Sequence, residues 1–318
     1  MKILFTADIH IKLGQKNVPV SWAKNRFYEF INQLTDMSAN ADLIVIGGDV
    51  FDSIPKTEEL ELYFDLVASI PTKCLIYPGN HEALKKDTTF LTHLKAVTNK
   101  INRNVEIIDD YYSDGVIDIL PYNKLKEYNP KDIDFHNRIL CTHVRGAIPP
   151  HVKPEVNLDI FKRWDVVLAG DLHSYENCQE NILYPGSPMT TSFHRNEVDT
   201  GAIILDTGTL EHKWLKFDLP QLIRKTIKAG EPTPATDFHH TIYEVEGTLD
   251  ELQALESNDL IATKISTRET EISLILGKEM TLSDEVREYV QFILQLQEDA
   301  VEDVMLEFAN HAGKLENE

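Results

Sequence analysis

An unbroken apolar run, Leu43-Ile44-Val45-Ile46-Gly47, opens directly onto Gly48-Asp49-Val50-Phe51-Asp52. A run this short and rich in branched residues reads as a strand buried on both faces of an α/β sheet. The carboxylates just past its end stand where open α/β sheets gather their sites. The same arrangement recurs outward from this stretch in both directions. Lys-Ile-Leu-Phe-Thr at residues 2–6 precedes Asp8-Ile9-His10, and Cys-Leu-Ile-Tyr-Pro at 74–78 precedes Gly79-Asn80-His81-Glu82. Arg-Ile-Leu-Cys at 138–141 precedes Thr142-His143, and Val-Val-Leu-Ala at 166–169 precedes Gly170-Asp171-Leu172-His173.

Taken singly, each cluster has a plain structural reading. Asp-x-His is common in turns, Gly-Gly-Asp makes a tight turn with a helix cap, and Gly-Asn-His suits a turn with its Asn in a left-handed conformation. Five in order, each after a strand, converge instead on a two-metal centre. Phosphodiesters resist attack because their charge repels nucleophiles and their leaving alkoxide is poor. Two divalent ions roughly 3.5–4 Å apart answer both problems. Ions held that close need a bridging carboxylate, a role that Asp49 fits. Asp52 reads as support for a ligand histidine or as a helix cap, and Glu82 reads as a surface residue.

The series Asp-x-His, Gly-Asp, Gly-Asn-His, His, Gly-Asp-x-His resembles the calcineurin-like metallophosphoesterases, and within them the nuclease subunit of SbcCD-type complexes in its shorter bacteriophage form. The specific motifs cover residues 1–217, and the likeness beyond rests on domain order. The resemblance implies a four-layer α/β/β/α sandwich. It places Asp8, His10, Asp49 and His173 around one metal, and Asp49, Asn80, His143 and Asp171 around the other, with His81 as the catalytic group that protonates the leaving oxygen. Mixed imidazole and carboxylate ligation suits two Mn²⁺ ions, with Mg²⁺, Fe²⁺ or Zn²⁺ as substitutes. Asp171 departs from the family pattern, which has His there. Its charge leaves the centre one positive charge poorer than a histidine would, so the expectation is a tighter hold on hard ions and a weaker pull on phosphate.

Other residues bear on the substrate. Ser/Thr protein phosphatases carry a phosphate-gripping Arg just after the second Asp of the Gly-Asp cluster, whereas Asp52 is followed by Ser53-Ile54-Pro55. That argues against a protein phosphatase. Tyr184-Pro185-Gly186-Ser187-Pro188 and Phe193-His194-Arg195 resemble the segment after the metal site in SbcD-type nucleases. Ser187 and Arg195 are therefore expected to bind DNA, unless the segment is only a turn between strands. Residues 201–219 alternate on both sides of Asp206-Thr207-Gly208, which predicts a hairpin.

At 318 residues the chain has room for one large domain and one or two small ones. No apolar run approaches the roughly 18 residues that cross a membrane, and a strand beginning at Lys2 leaves no room for a signal peptide. Three scattered cysteines, Cys74, Cys141 and Cys178, read as reduced residues of a cytoplasmic protein. The net charge of −21 looks wrong for a DNA enzyme. Residues 231–318, however, hold 21 Asp and Glu against 5 Lys and Arg, a net of −16, which leaves the catalytic region close to neutral. DNA binding would then depend on local patches, on the metals and on a partner.

The expected organisation is a nuclease domain over 1–217, a linker over 218–238 carrying Arg224, Lys225 and Lys228, a small α+β capping domain over 239–280, and a C-terminal helical segment over 281–312. Thr281 or Ser283 can cap a helix whose apolar positions are Val286, Val290, Ile293, Leu294, Val301, Val304, Met305 and Phe308. One helix, or two breaking near Gln297-Glu298, would fit. By resemblance this segment docks on the coiled-coil base of an SbcC-type ATPase, the chain dimerises through helices such as residues 22–37, and the enzyme acts 3′→5′ on duplex ends. Two other functions remain open at this point: a stand-alone phosphodiesterase for small substrates, and a weakly catalytic subunit that bridges DNA ends.

Overall fold

The computed structural model describes residues 1–85, 88–129, 135–235, 238–255, 259–266, 281–294, 296 and 298–315. In chain order the elements are β1 (Lys2–Thr6), α1 (Val20–Ser38), β2 (Leu43–Gly47), α2 (Thr57–Ser69), β3 (Lys73–Tyr77), the short strands β4 (Ala83–Lys85) and β5 (Thr88–Thr89), and α3 (Phe90–Ile101). There follow β6 (Val105–Ile107), β7 (Tyr112–Ser113), β8 (Ile117–Leu120), α4 (Tyr122–Leu125), β9 (Ile139–His143), β10 (Val166–Gly170), β11 (Ile182–Leu183), β12 (Gly201–Asp206) and β13 (His212–Lys216). The last are β14 (Leu222–Lys228), β15 (His240–Gly247), α5 (Leu249–Ala254), β16 (Ile261–Ser266), α6 (Leu282–Glu288) and α7 (Glu298–Leu315).

Two sheets face each other. One has the order β13-β12-β1-β2-β3-β6 and the other β11-β10-β9-β8-β7. In the first, β1, β2, β3 and β6 run parallel, and the hairpin β12–β13 closes the edge antiparallel. In the second, β8 to β11 are parallel and β7 is antiparallel. Strand alternation explains the layering, because successive side chains point to opposite faces. Ile3, Phe5, Leu43, Val45, Leu75 and Tyr77 meet Ile117, Ile119, Ile139, Cys141 and Leu168 between the sheets. The residues between them in sequence, among them Leu4, Ile44, Ile46, Cys74 and Ile76, turn outward onto Phe27, Phe30 and Leu34 of α1, and Leu62 and Leu66 of α2. On the far side Leu140, Val167 and Ala169 pack under Leu125, Tyr128, Phe135, Phe161 and Trp164.

The result is an α/β/β/α sandwich. Its fourth layer is thin, built from α4 and the 3₁₀ turn Leu158–Arg163 rather than long helices. The predicted hairpin is present: Gly208 N donates to Asp206 Oδ1 at 2.8 Å at its turn.

The stretch expected to be a linker contains a strand. β14 lines up with β15 and β16 in a separate three-stranded sheet, and Arg224, read as part of a linker, pairs with Glu244 at 3.4 Å. Its β-branched Ile223, Thr226 and Ile227 are the residues that favour an extended chain. Within the expected α+β domain over 239–280, residues 267–280 lie outside the described residues.

The chain divides into two compact units, one comprising Met1–Val245 with Glu256–Lys264, the other Glu246–Leu255 with Ile265–Glu318. In the second, Thr281 and Asp284 cap α6 reciprocally: Asp284 N donates to Thr281 Oγ1 at 3.2 Å, and Thr281 N to Asp284 Oδ2 at 2.9 Å. The terminal segment takes its two-helix form. A wider π turn at Tyr289–Ile293 follows α6, and α7 starts at Glu298. Val286, Val290, Val301, Met305 and Phe308 pack together, whereas Leu294 and Val304 are exposed.

Candidate metal centre

Parallel strands carry their C-terminal ends to one edge of each sheet, and β1, β2, β3, β9 and β10 deliver the five clusters there. The chain turns sharply as it leaves β1, β2 and β10. Asp8, His10, Asp49 and Asp171 all have positive φ, of 57°, 49°, 49° and 101°. Such conformations are costly for residues with a side chain, and they concentrate at functional sites. Gly48, at φ 86°, is required for another reason: a Cβ there would stand 2.5 Å from His143 Nδ1.

Asp49 lies at the centre. Its Oδ2 is 3.7 Å from His10 Nε2, 3.5 Å from His143 Nε2 and 3.9 Å from His81 Nε2. Its Oδ1 accepts the backbone N–H of His81 at 2.9 Å. On one side, His10 Nε2 and His173 Nε2 are 3.2 Å apart, near Asp8. On the other, His143 Nε2 is 2.9 Å from Asn80 Oδ1 and 3.9 Å from Asp171 Oδ1. His143 Nδ1 lies 2.9 Å from the Gly47 carbonyl, a bond that fixes its tautomer and leaves Nε2 as the donor atom. Potential ligand atoms of Asp8, His10 and His173, and of Asp8, Asp49 and His143, lie within 4.8 Å of one another. Those of His10, Asp49 and His81 do so as well, so His81 is also within ligand distance.

Burial and mutual contact shift the titratable groups of the centre. Burial pushes the Asp8 carboxyl well above the usual carboxylate range; His143 opposes this and Asp49 adds to it. Burial holds His10 down to about 3 against the pull of Asp49, and burial also lowers His173, so both offer neutral nitrogens. Burial also works against His143 as a cation, yet Asp49 pushes it up to about 10. Asp49 itself is held below the usual range: burial opposes its charge, but His143 prevails. A proton on His143 thus offsets part of the carboxylate charge of Asp49 and Asp8. Neutral imidazoles, carboxylates and one amide oxygen, facing each other in two groups around Asp49, are a donor set fitted to two divalent ions.

Three expectations change. Glu82, read as a surface residue, is only 1% exposed. It accepts backbone N–H groups from Asp49 at 3.0 Å, Phe51 at 2.8 Å and Gly79 at 2.8 Å, tying the second cluster to the third. Burial, with Asp49 adding to it, raises its carboxyl to about 7 against those bonds. Ser187, read as a DNA contact, is 3% exposed. Its hydroxyl lies 2.7 Å from the Asp8 carbonyl, and Thr191 Oγ1 lies 3.3 Å from His173 Nδ1, so this loop braces the centre from behind. Arg195 does lie exposed. Asp52 supports the site, 3.7 Å from His10 Nδ1 by its carboxylate and 2.6 Å from His81 Nδ1 by its carbonyl.

The third change concerns Asp171. Arg145 grips it with two bonds, Nε to Oδ2 at 3.0 Å and Nη2 to Oδ1 at 3.1 Å, so the extra negative charge is matched. Nothing in the motif series singles out Arg145. The signal available in the sequence was an arginine two residues beyond His143, the cation that a third carboxylate calls for.

Beside His173 opens a cleft of about 660 Å³, lined among others by Tyr175, Met189, His194 and Trp214. A family model for calcineurin-like phosphoesterases matches residues 1–199. The chain belongs to the calcineurin-like phosphoesterase family. A protein of Escherichia phage T5 named probable exonuclease subunit 1 is 39% identical over 322 residues, spanning 98% of both chains. Two proteins named as phosphoesterases, from Invertebrate iridescent viruses 6 and 3, are 27% and 26% identical. They cover 64% and 70% of this chain, and the matches span 75% and 67% of their own lengths. As a calcineurin-like phosphoesterase with two clusters of His and Asp around a shared carboxylate, the chain is a metal-dependent phosphoesterase with a two-metal site.

Proposed function

We propose that this phosphoesterase is a Mn²⁺-dependent DNA nuclease, the nuclease subunit of an SbcCD-like ATPase–nuclease complex in DNA repair, recombination or replication. The observation that carries the DNA reading is the end-to-end similarity to the T5 protein named as an exonuclease subunit.

Asp8, His10, Asp49 and His173 would hold one ion, and Asp49, Asn80, His143 and Asp171 the other, with Mg²⁺ as a substitute for Mn²⁺. When bound, the ions activate a water and neutralise charge on the phosphate oxygens. The side chains do the rest. Asp49 draws both halves of the centre to one carboxylate, and Asn80 contributes oxygen without charge. His81 acts on the leaving oxygen: its Nδ1–H donates to the Asp52 carbonyl at 2.6 Å, which turns Nε2 into the centre, where a second proton, carried by the imidazolium form, would pass to the leaving oxygen. Arg195, exposed beyond the bracing loop, meets the DNA backbone.

The C-terminal unit serves the partner. Tyr289, Leu294, Val304 and Leu306 are exposed there, Leu306 by 64%, on strongly acidic helices. Exposed apolar side chains of this kind suit docking on the coiled-coil base of the ATPase subunit.

The test compares an end-labelled duplex with a small p-nitrophenyl phosphodiester, both with Mn²⁺. The duplex is expected to be degraded, and His81→Ala to slow this by roughly 10²–10⁴-fold. Hydrolysis of the small ester with the duplex intact, even with the ATPase present, would replace this reading with a stand-alone phosphodiesterase.

A further inference from the structure

The pairing of Arg145 with Asp171 reaches beyond holding a loop in place. Asp171 is nearly buried, its side chain 6% exposed, while that of Arg145 is 44% exposed. Asp171 is locked from three directions. Its backbone N–H donates to both oxygens of Asp8 at 3.0 and 3.2 Å, its Oδ1 is 3.9 Å from His143 Nε2, and the guanidinium spans both of its oxygens. Arg145 is in turn placed by its neighbours. Its backbone N–H donates to Glu155 Oε1 at 3.3 Å, and Glu155 Oε2 accepts from Tyr122 at 3.2 Å. Tyr122 lies edge-on to His143 with ring centroids 6.0 Å apart.

A carboxylate in this position lowers the positive potential that draws a phosphate, and a guanidinium fork on the same carboxylate restores it. We infer that Arg145 and Asp171 act as one neutral unit equivalent to a histidine ligand, in which Arg145 is a positioning residue that preserves the centre's attraction for a phosphate oxyanion. The inference rests on Asp171 as a metal ligand, proposed above. Arg145 thereby supplies, from the turn after β9, positive charge of the kind that the missing arginine after Asp52 would have brought.

The experiment measures inorganic phosphate binding by calorimetry on Mn²⁺-loaded protein, with bound Mn²⁺ counted by equilibrium dialysis. Arg145→Ala is expected to keep two ions and to bind phosphate roughly tenfold more weakly, the effect of about one lost charge interaction. Arg145→Lys, which keeps the charge, should recover most of that loss. Asp171→His alone should bind phosphate more tightly than the parent, and the double variant Asp171→His/Arg145→Ala should return close to it. A double variant that binds phosphate as weakly as Arg145→Ala alone would overturn the inference, since a neutral histidine at 171 would then not stand in for the pair. No loss at all would overturn it too, and so would loss of one ion in Arg145→Ala, because the pair would then serve only to shape the ligand. A parent that binds fewer than two ions would instead remove the ligand assignment itself, and the inference with it.

Discussion

Glu82 shows how a single side chain can hold a metal centre together without touching a metal. Its two oxygens accept three backbone N–H groups from the loops that carry Asp49 and Asn80. Glu82→Gln would turn an amide N–H₂ toward at least one of those donors, and it is expected to destabilise the metal-free protein by about 1–3 kcal/mol. Denaturant unfolding in chelator measures this, and an unchanged midpoint would show that these bonds do not hold the loops together. His143 makes a second prediction. Its folded pKa of about 10 lies above the ordinary 6.5, so its contribution to metal-free stability is fully present below 6.5 and fades as pH rises through 10. A metal must displace that proton, so Mn²⁺ affinity should climb across this window and proton release should shrink as pH nears 10. Calorimetry in buffers of different ionisation enthalpy reads that release, and none at pH 7 would contradict the assignment. The ligands were legible because each is a ligand type in a fixed motif after a strand. Glu82 and Arg145 were not, because their roles are bonds across 31 and 26 residues that no local pattern encodes.

Elements were legible in proportion to their periodicity. The buried strands read as continuous apolar runs, and the hairpin at Asp206 followed from alternation and a turn signal. β14 was missed because the prolines and glycine around it dominate a local reading, whereas its partner, β15, begins a dozen residues later. The terminal helices were ambiguous for a different reason. One apolar stripe fits either a single helix or two packed ones, and the packing of Val290 on Val301 and Met305 decides for two. That packing uses one face and leaves Val304 and Leu306 outside. Leu306→Asp is therefore expected to leave helicity by circular dichroism unchanged, yet to weaken capture of the proposed coiled-coil ATPase partner at least about tenfold. Undiminished capture would remove Leu306 from the proposed partner interface.

At the scale of the whole molecule, the net charge of −21 conceals a division of labour. Acidity concentrates in residues 231–318, while the sandwich that bears the centre is nearly neutral, and no helix among the described residues is long and apolar enough to cross a membrane. Two sheets that expose parallel strand ends at one edge can bring residues as distant as Asp8 and His173 into one group, with Asp49 between the halves. The most direct test is a count of Mn²⁺ bound by chelator-treated protein as the ion is titrated back. The parent chain is expected to take up two ions, and Asp49→Ala, which removes the shared carboxylate, at most one. Two ions still bound by Asp49→Ala, or a parent that never reaches two, would contradict a centre built around Asp49.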